Sequence, residues 1–369
     1  RTLKIKRMNK LLLALLLFLL SFSWIKVTAS DSCPESFPWK AQWINTERCQ
    51  SATNTWLIYR KSFAVTNVPN QLIARIAADS KYWLWINDQL VIFEGGLKRG
   101  PSPSGTYYDP VDIAPYLTKG SNTIAILLWH FGKDGFSHIN SGKAALLFEA
   151  IAPGLEIVSD ASWQCALYEA YQNTEAPFPN YRMPESNIRF DARQAITNWN
   201  RTSFEGSLPG AVCVGKAGKA PFGDLVERPI PQWKNSGLLS YVSVRESLRG
   251  DTLFCRLPYN AQITPYLKVE AEAGKTIHIR MDNYEGGSER NVRAEYITRE
   301  GEQEYESYGW MNGHEVYYII PEGVKVLDVK YRETGYNTDL AGSFHCDDPF
   351  YDELWQRSAR TLYITMRDN

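Results

Sequence analysis

The stretch from residue 54 to 151 alternates short runs of β-branched, aromatic and aliphatic residues with polar turns, and it contains no long run of helical period. Short strands at close spacing are typical of antiparallel sandwiches and jelly rolls. We predict strands over residues 72–78, 82–86, 123–129 and 144–151. Asn87 and Asp88, which follow the second of these, form a pair suited to a tight hairpin. The sequence therefore predicts a first antiparallel β-sandwich.

A second β-rich block begins near Tyr241. Residues 266–272 and 276–281 flank a three-residue loop centred on Gly274, and residues 315–320 and 324–331 flank another that ends at Gly323. Strands separated by a short Gly-containing loop usually pair, so both segments are predicted to be hairpins of a second sandwich. The intervening residues 153–235 are rich in Pro and Gly, which predicts a loop-rich extension of the first domain.

After residue 343 the sequence pattern changes from one typical of strands to one typical of a helix. Asp347 or Asp348 can cap a helix, and Pro349 suits its first position. One helical face then carries Tyr351, Leu354, Trp355, Ser358 and Leu362. Glu353 precedes Arg357 by four residues, the favourable order for an ion pair. We predict a single amphipathic helix over residues 348–366 and interpret it as the start of a truncated helical domain. A helix docked on the preceding sandwich is the alternative.

The N-terminal segment resembles an export signal. Residues 11–20 are apolar, basic residues precede them, and small residues lie at Val27 and Ala29. We predict that residues 1–7 lie upstream of the true start, that residues 8–29 are a signal peptide and that the mature chain begins near residue 30. A membrane anchor is the alternative, but the apolar run is shorter than the roughly 20 residues of a spanning helix. We expect an exported protein, periplasmic or extracellular, with no membrane span in the mature chain.

Composition excludes several classes of function. The chain has 40 Lys and Arg against 41 Asp and Glu, so it lacks the basic excess that nucleic-acid binding requires. Its six cysteines form no C-x-x-C pair and its five histidines are scattered, so no metal site is predicted. Cys33 and Cys49 could close a short loop, whereas Cys165, Cys213 and Cys255 are predicted to be buried. No cofactor is required; a structural calcium ion is compatible with such sandwiches but is assigned to no residue.

Four aromatic residues are candidates for binding carbohydrate: Trp83, Trp85, Tyr107 and Trp129. Strand alternation places Trp83 and Trp85 on the same side of their strand, where two indoles could stack on a sugar ring. Packing in a core is the favoured alternative for these side chains. No catalytic residue is assigned, since no nucleophile, phosphate-binding or zinc motif occurs.

Several segments resemble one family. Residues 82–91, 107–113 and 120–125, with Trp129, resemble the galactose-binding-like sandwich of bacterial α-L-rhamnosidases. The sequence Phe-Asp-Ala-Arg at residues 190–193 is similar to the Tyr-Asp-Ala-Arg signature of that family, and Asn198-Trp199-Asn200 follows it. Residues 344–355 are similar to the entry into the (α/α)6 catalytic barrel of the same enzymes. The resemblance covers nearly all of residues 40–369.

The resemblance implies a mainly β fold. Two antiparallel β-sandwich domains of the jelly-roll, galactose-binding-like kind would occupy residues 30–235 and 236–342, and residues 343–369 would begin a truncated (α/α)6 barrel. It also implies an inverting hydrolase that removes terminal α-L-rhamnose from a rhamnose-containing glycoside or polysaccharide. The acid and base carboxylates would lie beyond residue 369, so this chain itself is expected to be inactive. The alternatives are a non-catalytic carbohydrate-binding or adhesin-like surface protein, and a hydrolase of different sugar specificity.

Overall fold

The computed structural model describes residues 38–96, 105–136, 138–285 and 290–366. Within these ranges the chain is mainly β, with several sheets, two short 3-10 helices and one α-helix at the C-terminal end, which confirms the predicted fold class. The predicted signal peptide and Cys33 lie outside the described residues. In the part of the chain that is described, no helix combines the length and apolar character needed to cross a membrane.

The strands in chain order are β1 (Gln42–Asn45), β2 (Thr55–Val65), β3 (Ile73–Asp79), β4 (Lys81–Ile86), β5 (Gln89–Gly96), β6 (Thr106–Asp112), β7 (Gly120–His130), β8 (Ala145–Ala152), β9 (Leu155–Val158), β10 (Gln164–Leu167), β11 (Tyr171–Asn173), β12 (Ile188–Asp191), β13 (Val212–Lys216), β14 (Leu225–Glu227), β15 (Leu238–Leu239), β16 (Ser243–Glu246), β17 (Thr252–Ala271), β18 (Thr276–Met281), β19 (Ala294–Ile297), β20 (Gly301–Glu306), β21 (Met311–Ile319) and β22 (Val324–Glu333). The 3-10 helices are Ala114–Tyr116 and Ala192–Gln194, and the α-helix, α1, is Pro349–Thr365.

The first β-region consists of two sheets. One has the order β13-β1-β8-β3-β6-β14, with β9 paired to β8, and the other has the order β10-β2-β7-β4-β5. An apolar core lies between them and includes Leu57, Leu84, Ile126, Leu128 and Phe148. The predicted hairpin between β4 and β5 is confirmed, because the two strands pair and both turn residues have positive φ, as a type I′ turn requires.

The second β-region is built around the long strand β17. Its first half pairs with β16 and β21, whereas its second half pairs with β20 and β22. The register with β21 shifts between Arg256 and Ala261, where an irregularity lets the strand change neighbours. Side chains from both halves, such as Cys255 and Val269, share one core with Ile279 and Tyr318. The long strand β17 thus contributes to both layers of the second sandwich.

The two hairpins predicted in this region are wrong. β18 pairs with β19 and β21, not with β17, and β22 pairs with β17 and β15, not with β21. The loops at Gly274 and Gly323 therefore join strands that are not neighbours. A Gly-containing loop marks where a strand ends, but the pairing depends on which layer buries the next strand.

The predicted extension, residues 153–235, crosses between the two regions. β11 pairs with β12, and β12 runs parallel to β19 of the second region. β13 and β14 then return to the first region and pair with β1 and β6. The hydrogen-bonded sheets consequently do not separate at residue 235.

Helix α1 follows the sequence pattern at its start. The Asp348 carboxylate accepts a hydrogen bond from the Phe350 amide at 3.0 Å, and Arg357 pairs with Glu353 at 2.6 Å. The helix is attached through Arg360, whose guanidinium donates to the Asn260 carbonyl oxygen at 2.7 and 2.9 Å. The predicted apolar face, however, is exposed at Tyr351, Leu354, Trp355 and Leu362.

The three cysteines predicted to be buried differ in their exposure. Cys165 and Cys255 are buried, as predicted. Cys213 is exposed, so its predicted burial is wrong; on β13 it alternates with Val214, which packs against the core, and therefore lies on the solvent side of the strand.

Candidate functional site

The outer face of the five-stranded sheet is aromatic. Trp83 and Trp85 lie on the same side, as predicted, together with Trp56 and Trp129. Trp56 stacks on Trp129 with 4.7 Å between ring centroids and on Tyr171 of β11 with 3.9 Å. The extension of the first region therefore covers this face, and the aromatic cluster forms the contact between the two β-regions.

The four predicted carbohydrate-binding residues do not share one accessible surface. Trp83 and Trp129 are 0% exposed, so they have no ring face available to a sugar, and core packing describes their positions. Tyr107 lies on β6, in the other sheet of the first region. Trp85 is also largely buried, but it lines a cleft between the two regions.

This cleft, which we call the inter-region cleft, has a volume of about 480 Å³. Aromatic residues form much of its wall: Trp85, Phe93, Tyr168, Phe190, Trp199, Tyr266, Tyr296, Tyr305 and Tyr308. Polar and charged residues also line it: Thr197, Asn198, Asn200, Arg201, Arg299, Glu304, Glu306 and Arg332. Aromatic surface combined with a few polar groups is the usual composition of a small-molecule site.

Glu306 is occupied by structural contacts. Arg332 donates from Nε to Glu306 Oε1 at 2.8 Å and from Nη2 to Oε2 at 2.9 Å. Thr264 Oγ1 donates to the same Oε1 at 2.8 Å. The guanidinium also lies 4.8 Å from the ring centre of Phe93, on the opposite region. A bidentate pair of this kind holds both side chains in one geometry, so Glu306 helps to shape the cleft.

Glu304 lies on the same face of β20, two residues earlier. Its Oε2 accepts a hydrogen bond from the Tyr266 hydroxyl at 2.8 Å. Burial, and then the contact with Glu304, raise the pKa of Tyr266, so the phenol stays protonated and remains a donor. Oε1 of Glu304 accepts no hydrogen bond from the described part of the chain, and the residue is exposed. One carboxylate oxygen is therefore available to a ligand.

A loop at residues 195–201 forms one side of the cleft. Asn198 has a φ of 57°, a left-handed conformation that asparagine adopts more readily than most residues. Arg60 of β2 donates to the carbonyl oxygens of Trp199 and Arg201, the latter at 3.0 Å. Thr202 Oγ1 donates to Asp88 at 2.9 Å. These contacts fix the loop to the first region, whereas the side chains of Asn198 and Asn200 make no hydrogen bond within the described residues.

The motif at residues 190–193 has a structural explanation. Arg193 donates from Nε and Nη2 to Asp191 at 2.8 and 2.7 Å. Hydrogen bonds from Arg193 lower the pKa of Asp191 despite its burial. The ion pair holds the turn that leads from β12 into the loop of the cleft. Phe190 itself lines the cleft, as does Trp199 of the segment that follows the motif.

Sequence reasoning did not identify Glu304, Glu306 or Arg332. The available signal was the alternation Glu302, Glu304, Glu306, which places three carboxylates on one face of a strand. Nothing local indicated that Phe93 of the first region would lie against the arginine that pairs with Glu306. In the described residues, no three His, Cys, Asp or Glu side chains come together to hold a metal ion, and the calcium ion stays an unassigned expectation.

No family model matches the sequence, and no curated protein matches it. Among solved structures it is similar to a GH78 family rhamnosidase of Bacillus sp. GL1, with a TM-score of 0.79 and 17% identity over 90% of this chain and 59% of that one. It is also similar to the α-L-rhamnosidase of Dictyoglumus thermophilum, with a TM-score of 0.63 and 20% identity over 86% of this chain and 38% of that one.

The α-L-rhamnosidase of Streptomyces avermitilis, solved with L-rhamnose, gives a TM-score of 0.62 and 16% identity over 82% of this chain and 31% of that one. These similarities confirm the resemblance inferred from the motifs at the level of the fold. The chain spans between 31% and 59% of the length of these enzymes, less than two thirds of each.

Proposed function

We propose that this chain is the N-terminal β-portion of an exported glycoside hydrolase that removes terminal α-L-rhamnose from glycosides or polysaccharides with inversion. The acid and base carboxylates are proposed to belong to a helical part encoded beyond residue 369. One observation carries the proposal: 90% of the chain superposes on 59% of a longer rhamnosidase. In this assignment the two sandwiches act as the scaffold of the catalytic part.

The chemistry of the inter-region cleft supports a scaffold role. Inverting hydrolysis needs one protonated carboxyl and one basic carboxylate roughly 6.5–9.5 Å apart, with a water molecule between them. Both oxygens of Glu306 are already bonded to Arg332. Thr264 also donates to one of these oxygens, so Glu306 has no unengaged oxygen with which to protonate a leaving group.

The exposed face of α1 supports a helical continuation. Leu354 and Trp355 remain 48% and 40% exposed, although their spacing is that of a buried helical stripe. Burying such side chains contributes about 25 cal/mol for each Å² of apolar surface removed from water. Further helices packed on this face would supply that burial.

The proposal is tested in two stages. The reading frame is expected to continue past codon 369 into helical sequence with clustered carboxylates. The longer protein is then expected to hydrolyse an aryl α-L-rhamnoside and to release the β-anomer first, as followed by NMR. The 369-residue chain is the matched control and is expected to release no rhamnose.

Two results would contradict the proposal. Hydrolysis of other aryl glycosides but not of the rhamnoside would remove the substrate assignment. Cleavage of the rhamnoside by the 369-residue chain alone would place the catalytic groups within the β-regions.

A further inference from the structure

We infer that the inter-region cleft is a binding site for a neutral sugar ring. The inference goes beyond the proposed function, because it concerns binding by the β-regions and does not require hydrolysis. The cleft volume of about 480 Å³ lies within the roughly 300–1,000 Å³ of small-molecule sites. A pyranose ring with part of a neighbouring sugar has a size appropriate to such a volume.

The lining matches the two kinds of surface that a sugar presents. Hydroxyl groups both donate and accept hydrogen bonds, and the amides of Asn198 and Asn200 can do the same at one side of the cleft. The open Oε1 of Glu304 is a further acceptor. The Tyr308 hydroxyl has no hydrogen bond within the described residues, while its ring packs 4.8 Å from Trp83. Among the aromatic lining residues, Phe190, Tyr266 and Tyr308 are only partly buried, so their rings can complement the apolar C–H face of the sugar.

The open carboxylate oxygen of Glu304 favours a neutral hydroxyl group over an anionic group as its partner. Arg332 is neutralised by Glu306. Arg299 donates from Nη2 to the Glu302 carbonyl oxygen at 3.1 Å, and Arg201 donates to the Asp88 carbonyl oxygen at 3.2 Å. These hydrogen bonds orient the Arg299 and Arg201 guanidinium groups without cancelling their charge, whereas the Glu304 carboxylate retains an open oxygen. An anionic group placed against that oxygen would be repelled by the carboxylate.

The cleft is also preorganised. Arg60 and Asp88 hold its loop to the first region, and the Glu306–Arg332 pair holds the facing strands. Side chains that are ordered before a ligand arrives lose less conformational entropy on binding. A weakly interacting sugar can therefore be bound by few contacts.

The test measures sugar binding to the full chain by saturation-transfer NMR and calorimetry. The probes are L-rhamnose, D-glucose, D-galactose and D-galacturonate. At least one of the neutral sugars is expected to bind, and galacturonate is expected to bind more weakly than it. In Glu304→Gln, which loses the charge but can still accept from Tyr266, affinity is expected to fall about tenfold, the worth of one charge-assisted hydrogen bond.

Two further variants make the test specific. Asn198→Gly removes the amide but retains the left-handed backbone, and it is expected to weaken binding several-fold. Glu302→Gln is the matched control: Glu302 lies on the same strand and pairs with Lys268 at 2.6 Å outside the cleft lining, so affinity is expected to be unchanged.

The inference is overturned if none of the neutral sugars binds at about 50 mM, a concentration that detects even millimolar affinity. It is also overturned if Glu304→Gln and Asn198→Gly bind as the unmodified chain does, or if galacturonate binds best. Each of these outcomes leaves the hydrolase proposal standing, because that proposal is decided by the longer reading frame and the aryl-glycoside assay.

Discussion

The two faces of the five-stranded sheet are both buried, but they are stabilised differently. The inner face presents mainly aliphatic side chains, such as Leu84, Ile126 and Leu128, to the core of the first region. The outer face presents tryptophans and one lysine to the second region and the extension. Aliphatic side chains need only close packing, whereas indole N–H groups and charges also need buried partners. Loss of a single hydrogen-bond or charge partner is therefore expected to destabilise the outer face more than the inner face.

The lysine on the outer face shows this dependence. The Lys81 ammonium is 2.8 Å from Glu94 and 3.2 Å from Glu185, and all three side chains are almost fully buried. Trp310 of the second region donates to Glu185 at 3.0 Å. The charged cluster thus combines residues of β4, β5, the extension and the second region.

The largest expected effect comes from removing this lysine. Lys81→Met removes an ammonium that contacts two buried carboxylates, which is expected to lower the free energy of unfolding by about 3–5 kcal/mol. Denaturant unfolding at neutral pH measures the change. In the control Lys40→Met, which breaks the exposed pair with Glu156, the loss is expected to be below about 1 kcal/mol. Equal losses in the two variants would show that the cluster does not depend on its cation.

A smaller loss of stability is expected when Asn54, which accepts hydrogen bonds from two indole N–H groups, is replaced. Asn54 Oδ1 accepts from Trp56 Nε1 at 3.0 Å and from Trp129 Nε1 at 2.8 Å. Asn54→Gly keeps the positive φ of 61° but leaves both N–H groups unpaired, so a loss of about 2–4 kcal/mol is expected.

The control for that variant is Asn198→Gly, which has a similar φ of 57° and breaks no hydrogen bond of the described chain. Its stability is expected to stay within about 0.5 kcal/mol of the unmodified chain. If the two glycine variants unfold at the same denaturant concentration, the indole hydrogen bonds contribute nothing measurable.

The smallest effect is a pH dependence at β19. Burial acts to raise the pKa of Glu295, but hydrogen bonds from Arg293 and Arg189 outweigh it and hold the pKa below its ordinary value of 4.5. A lowered folded-state pKa contributes stability that is complete above the unfolded-state value and is lost as the pH falls through the folded-state value. Stability is therefore expected to decline in acid.

Glu295→Gln should show less of this decline. The unmodified chain and the variant are expected to differ less in unfolding free energy below about pH 4 than at neutral pH. The difference is expected to shrink by on the order of 1 kcal/mol, the scale of a charge-assisted hydrogen bond. Unfolding curves between about pH 3 and pH 7 measure it. A difference that does not change with pH would mean that Glu295 stabilises the strand through packing alone.

Local sequence signals predicted the features that depend on near neighbours. The hairpin at Asn87-Asp88, the cap at Asp348 and the ion pair of Glu353 with Arg357 each involve residues within four positions of one another. The hairpins expected at Gly274 and Gly323 failed because strand pairing there is decided by β17, which is distant in sequence from most of its partners.

The same distinction applies to the site. The sequence by itself determined that Trp83 and Trp85 face one side of a strand, because side chains alternate with a period of two. Only the tertiary structure decided that this side is covered, and that Trp85, Trp199 and Glu304 meet at one cleft. Burial of a sheet's second face depends on which remote segments pack against it, and residues far apart along the chain carry no periodic signal of that contact.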